Sequence, residues 1–127
     1  METNICSVLA VFPVPDMERT ARYYCDVLGF RAVPYLTVQE PHICLYRDQV
    51  EIVLTGANRG RIFPHRELYG YGEDAYLVVR DQEALEAEFR EKGAKIVRPL
   101  QLTDYNNREF VLEDIDGRWL AFGMKQG

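Results

Sequence analysis

Val8-Leu9-Ala10-Val11-Phe12-Pro13-Val14-Pro15-Asp16 and Ala75-Tyr76-Leu77-Val78-Val79-Arg80-Asp81 are two versions of one sentence, placed in the two halves of the chain. Each is an apolar, β-branched run that ends on an aspartate, and helical spacing follows each. After Asp16, the residues Met17, Ala21, Tyr24 and Leu28 recur on one helical face, and Gly29 supplies a left-handed stop. After Asp81, Leu85 and Phe89 form the stripe and Gly93 ends it, with Glu86–Arg90 and Glu88–Lys92 spaced for i,i+4 ion pairs. Both aspartates suit an N-cap, where a carboxylate accepts from free amides and meets the positive end of the helix dipole. A unit of this kind cannot bury its apolar face alone, so the tandem repeat predicts two modules that share buried surface.

Strands follow each helix. In the first half they are expected at 32–38, 42–46 and 51–55, with a turn at Arg47-Asp48-Gln49. In the second they are expected at 95–97, 108–113 and 119–123, with Asp116-Gly117 as the hairpin turn between the last two. This divides one domain, 1–127, into a module over about 5–57, a linker over about 58–73 and a module over about 74–126. The linker holds Arg59, Arg61, His65 and Arg66 among Phe63, Tyr69 and Tyr71. It reads either as a solvated loop or as a lid over a cavity.

Hydrophobic content of 47% and charged content of 28% fit a globular domain. A net charge of −5 points away from nucleic acid, whose binders carry a basic face. No apolar run nears the roughly 20 residues that span a bilayer, and Met1-Glu2-Thr3-Asn4 is not a signal-like start. A cytoplasmic protein with no membrane partner is therefore expected. Cys6, Cys25 and Cys44 are odd in number and unpaired in spacing, and are expected as small buried hydrophobes.

Val14-x-Asp16, Tyr23-Tyr24-x-x-Val27-Leu28-Gly29-Phe30, Val79-x-Asp81 and Asp114-Ile115-Asp116-Gly117 occur in that order. So arranged, the chain resembles the vicinal-oxygen-chelate superfamily of glyoxalase I, extradiol dioxygenases and bleomycin-resistance proteins. The resemblance implies an α+β fold of two tandem βαβββ modules, forming an open, incompletely closed mixed barrel around a shared cavity. It also implies a homodimer. The superfamily's metal ligands would map to Leu9, Val53, Asp74 and Ala121. Three of these have no lone pair to give, so no metal and no cofactor are expected.

Residues sharing strand parity with those positions should face the cavity. They include Glu51 and Val53 in the first module, and Asp74, Tyr76 and Trp119 in the second. Tyr76 and Trp119 offer stacking area, or else fill the barrel or an interface. Glu51 and Asp74 offer charge to a cation or, if they approach, an acid/base pair. Arg108 and Phe110 belong to an Arg-Glu-Phe run similar to one in bleomycin-resistance proteins; Arg108 lines the cleft or pairs with Glu109 or Glu113. The expected function is metal-free binding and sequestration of a drug or an aromatic or cationic metabolite, with no catalytic residue assigned. The alternatives are a lyase, isomerase or dioxygenase using cavity carboxylates or relocated ligands, and a regulatory or assembly module without ligand.

Overall fold

The computed structural model describes residues 2–127. In the first half, β1 (Ala10–Val14), α1 (Met17–Asp26), β2 (Arg31–Tyr35), β3 (His42–Arg47) and β4 (Val50–Gly56) follow one another. A short helix, α2 (His65–Tyr69), leads to β5 (Ala75–Val78), α3 (Gln82–Glu91), β6 (Lys95–Leu102), β7 (Asn107–Glu113) and β8 (Trp119–Lys125). Two four-stranded mixed sheets result, ordered β1-β4-β3-β2 and β5-β8-β7-β6. In each, the first strand runs parallel to the last and the other pairings are antiparallel. The βαβββ unit therefore occurs twice.

The Asp16 carboxylate accepts from the Arg19 amide at 3.1 Å, and Asp81 repeats this with Ala84 at 3.0 Å. Gly29 ends the α1 segment at φ 75°, and a Cβ there would lie 2.8 Å from Arg47 Nη1. The left-handed conformation thus favours glycine at that turn, and a Cβ would also push on the Arg47 guanidinium.

Strand alternation gives each sheet one strongly apolar face. Phe12, Val14, Ile43, Leu45, Ile52 and Leu54 come from the first, and Phe110, Leu112, Leu120 and Phe122 from the second. All join Tyr24, Leu28 and Phe89 of the helical segments in one buried cluster. Phe89 sits edge-on to Phe110 and Phe122 at 6.1 and 5.2 Å. Full burial of such a side chain is worth about 1.5–3 kcal/mol. The helices therefore lie between the sheets.

The two tandem modules and their unclosed sheets are as expected, and the placing of the helices between the sheets is what the structure adds. The sheets do not close around a common cavity; their helix-covered faces meet and their other faces point outward. The reason is economy of apolar surface, because the helix stripes and both inner sheet faces cover one another within one chain.

Two polar seams lock the modules across this core. At the first, Tyr24 donates to Asp114 Oδ2 at 2.6 Å, while the amides of Asp116 and Arg118 donate to Oδ1 at 2.9 and 3.0 Å. Thr20 donates to Asp116. Arg118 lays its guanidinium 4.5 Å over the Phe12 ring and donates to the Pro13 carbonyl at 2.8 Å. At the second, Arg47 makes a bidentate pair with Glu88 at 2.7 and 2.9 Å and donates to the Leu28 carbonyl at 2.7 Å. Glu88 is thus engaged by Arg47 rather than by its expected helical neighbour Lys92. Glu86–Arg90 forms as expected, at 3.3 Å.

Other details differ from expectation. Strand β6 runs on to Leu102 through two register irregularities, between Ile96 and Arg98 and between Arg98 and Gln101, which an edge strand tolerates because it has a ladder on one side only; the Leu100 amide donates instead to Glu86 at 2.7 Å. The linker contains α2, started at Pro64 and ended by Gly70 at φ 93°. Among the cysteines only Cys44 is buried; Cys6 is exposed and Cys25 intermediate.

Burial pushes the Asp114 carboxyl from 3.8 up to about 6, against the lowering effect of its hydrogen bonds. A raised folded pKa adds stability at low pH that is lost as pH rises through the folded value. Relative to Asp114→Asn, the wild type should lose on the order of 2–3 kcal/mol between pH 4 and 7. Urea unfolding of both proteins across that range checks this; a pH-independent difference would contradict it.

Candidate functional site

The register that buries one face of each sheet fixes what stands on the other. Val11, Val53 and Cys44 align across the first sheet, and Tyr76, Ala121 and Val111 across the second. A hollow of about 670 Å³ on the first outer face is lined by His42, Cys44, Glu51, Val53, Thr55 and Met17, among others. A smaller one of about 290 Å³ on the second is lined by Arg98, Gln101, Thr103, Tyr105, Glu109 and Val111, among others.

The second outer face carries the more ordered chemistry. The Glu109 side chain is held with the residue only 3% exposed. Tyr76 donates to Oε1 at 3.0 Å and Tyr105 to Oε2 at 2.9 Å, so each oxygen receives a phenol. The Asn107 amide donates to the Tyr76 hydroxyl at 2.9 Å. Glu109 lies opposite Gly123, where an added Cβ would come within 2.6 Å of Glu109 Cβ, the Arg108 carbonyl and the Tyr76 hydroxyl. Glycine therefore makes the room in which this cluster assembles. Burial, then the bond to Glu109, pushes the Tyr76 hydroxyl up to about 12, and Tyr105 is raised for the same reasons. Yet the rings stay open, Tyr76 at 40% and Tyr105 at 52% exposure. A buried anion under two exposed aromatic faces favours a positive group laid on those rings, since donation to a carboxylate enriches the phenol's π-face.

Trp119 lies nearby on the same sheet face but is already engaged. Arg66 and Arg98 sit 4.3 and 5.1 Å from its ring centre, and its Nε1 donates to Glu113 at 3.0 Å. The Asp74 side chain, 4% exposed, accepts from the amides of His65 and Trp119 at 3.0 and 2.9 Å. It fastens α2 to the start of β8. Glu51 and Val53 line the hollow of the other module, so Glu51 and Asp74 share no pocket and form no acid/base pair.

Two expected cleft residues are placed elsewhere. Phe110 is fully buried in the core, stacked on Phe122 at 5.2 Å. Arg108 shares its parity and reaches Glu83 in the first turn of α3 at 3.5 Å. A two-residue turn at Asp116-Gly117 would put Phe110 opposite Gly123. The loop instead closes with Asp114 N–H to the Arg118 carbonyl, and this one-residue shift brings Glu109 to the outer face. Glu109, Tyr105 and Asn107 were missed because Arg108 and Phe110 were placed by the likeness of their run and not by register through this turn. The available signal was Gly123, a small residue that leaves room for a large opposite neighbour.

The superfamily's metal does not fit these residues. Leu9, Val53 and Ala121 offer no donor, and Asp74 is committed to two amides. Among the described residues no three His, Cys, Asp or Glu side chains converge to hold an ion. No helix there is long and apolar enough to cross a membrane.

With this fold and site in view, residues 8–122 match the model of the Glyoxalase/Bleomycin resistance protein/Dioxygenase superfamily, and the chain belongs to that superfamily. Among solved structures it is similar to TnmS3, an antibiotic-binding protein from Streptomyces sp. CB03234. The TM-score there is 0.73 at 19% identity, over 98% of this chain and 100% of that one. It is also similar to a glyoxalase-related enzyme from Clostridium phytofermentans, at TM-score 0.75 and 15% identity over 98% of each chain. TioX from Micromonospora sp. ML1 matches at TM-score 0.69 and 18% identity, over 94% of this chain and 100% of that one. At such identities the likeness is one of fold. No curated protein sequence matches the chain.

Replacing Glu109 with Gln removes the anion beneath both phenols. The Tyr76 pKa should then fall from about 12 toward its ordinary value of 10, followed by NMR of the labelled ring carbon. An unmoved titration would mean that burial alone sets it. Gly123→Ala should destabilise the fold by about 1–3 kcal/mol, measured by thermal unfolding, because backbone and Glu109 Cβ both stand in the way.

Proposed function

We infer that this protein is a metal-free small-molecule binder of the bleomycin-resistance type, which holds an aromatic, cationic ligand against the outer face of its second module. The observation that carries this reading is the Glu109 carboxylate, buried beneath the exposed rings of Tyr76 and Tyr105 and hydrogen-bonded by both. A structural role alone would not call for a buried anion beside half-exposed phenol rings, because desolvating a carboxylate is costly. A ligand cation lying on the two rings regains that cost.

The crevice is completed by a second copy of the chain. Both outer faces carry exposed apolar side chains, among them Val11 at 55% and Val78 at 68%. The edge strands β1 and β5 pair on one side only, leaving a row of backbone groups open to another strand. The outer face of one copy's first module, with Glu51 and Val53, can then close over Tyr76 and Glu109 of the other. Three free thiols suit a reducing, cytoplasmic setting.

Titration with metal-free bleomycin, followed by Trp119 fluorescence, tests the reading. Saturable binding is expected, weakened about ten-fold or more in Glu109→Gln and in Tyr76→Ala with folding retained. Binding unaffected by both substitutions would remove the site from this face. Absence of binding by bleomycin and by simpler aromatic amines would overturn the reading itself.

A further inference from the structure

The internal repeat makes a comparison possible that neither module offers alone. Phe12 and Leu77 stand at the same distance before their helix caps, and they pair with Leu54 and Phe122 respectively. Leu54 is therefore equivalent to Phe122, Val50 to Arg118, and Pro13 to Val78. Counted from the caps, Tyr24 corresponds to Phe89; through the hairpin pairings Arg47, opposite Val50, corresponds to Asp114, opposite Arg118. The two seams are thus reciprocal: Tyr24 meets Asp114 at 2.6 Å, and the Phe89 ring meets the Arg47 guanidinium at 5.8 Å.

They differ in what fills them. At the first seam Arg118, 9% exposed, covers Phe12 and donates to the Pro13 carbonyl. At the second, Val50 stands in the arginine's place and stops short. A groove of about 640 Å³ remains, lined by Phe30, Val50, Leu77, Val78, Leu85 and Met124 together with the Arg47–Glu88 pair. Leu77 and Val78, which line it, are the counterparts of the two residues that the Arg118 guanidinium touches. The ionisable groups facing the groove are Arg47 and Arg80 against Asp48, Asp81 and Glu88, an excess of one negative charge.

We propose that this groove is a second ligand site, which takes a small organic cation: a guanidinium, amidinium or amine on an aromatic or aliphatic body. The body covers the apolar wall, where Leu77 stands in the place of the Phe12 ring that the Arg118 guanidinium covers at the first seam. The cationic head lies by the β5 backbone at Val78 and meets the surplus carboxylate charge. The site shares Val78 with the outer face but none of the residues around Glu109, and does not depend on the function read there.

Benzamidine is the probe, and amide shifts of the full-length labelled protein are the readout. Saturable shifts are expected at Val50, Leu77, Val79 and Leu85, with benzyl alcohol binding about ten-fold or more weakly. Val50→Arg restores the plug found at the first seam and should abolish these shifts without lowering the melting temperature. If that variant fails to fold, Ala84→Trp serves in its place, since Ala84 is an exposed position of α3 on the groove wall. Equal binding of benzyl alcohol would overturn the cationic class. Wild-type affinity in both variants, shifts confined to Tyr76 and Glu109, or no saturable shift would overturn the site. Conversion of a dimer to a monomer by Val50→Arg would make the groove an interface between copies, and would overturn it too.

Discussion

The apolar cluster between the two sheets is the constraint on which the rest depends. Phe12, Leu54, Phe110 and Phe122 bury against the same helical side chains, Tyr24, Leu28 and Phe89. Because that contact consumes both helix stripes and one face of each sheet, the remaining two faces must look in opposite directions. Everything available for recognition is therefore split between two outward surfaces and the seams joining the modules. The seams are polar at their edges because strand ends and hairpin turns meet there, and their backbone groups need partners. Asp114 shows how tightly this is done: one buried carboxylate satisfies two amides and a phenol.

On the outward surfaces, residues that look alike in sequence have different tasks. Trp119 and Tyr76 are both aromatic and share a sheet face. Trp119 serves as the plate between Arg66 and Arg98, binding α2 and β6 to the sheet. Tyr76 keeps an open ring while its hydroxyl holds Glu109. Asp74 and Glu109 are both buried acids, yet Asp74 spends its oxygens on backbone amides and Glu109 on phenols whose rings remain accessible. The linker's basic residues are similarly engaged: Arg61 stacks on Phe63 and pairs with Glu67, and Arg66 pairs with Glu113. Tyr69 and Tyr71 stay exposed there, as does Arg59.

The fold was largely legible because its signals are local. A capping aspartate, a helical stripe and a stopping glycine each act within a few residues, and their repetition gave two modules. Strand parity also grouped the faces of β1, β4, β5 and β8 correctly. On β7, Arg108 and Phe110 were placed by the likeness of an Arg-Glu-Phe run and not by a count. Because the 115–117 loop holds one residue more than a two-residue turn, Glu109 takes the outer face, and the most distinctive group of the site stayed hidden. How the modules face each other was not legible either. The same apolar faces would be covered whether a sheet curls round a cavity or lays its helices against a second sheet, and only long-range contacts such as Tyr24–Asp114 and Arg47–Glu88 decide between them.

The reading of function rests on the outward faces being brought together by a second copy, which converts two separated surfaces into one crevice. Sedimentation equilibrium of the wild type beside Val78→Asp, a charge placed on the exposed β5 edge, tests this most directly. A wild-type dimer that dissociates in the variant, with bleomycin binding lost together with the dimer, is the expected result. A wild-type monomer that binds the drug with undiminished affinity would contradict it.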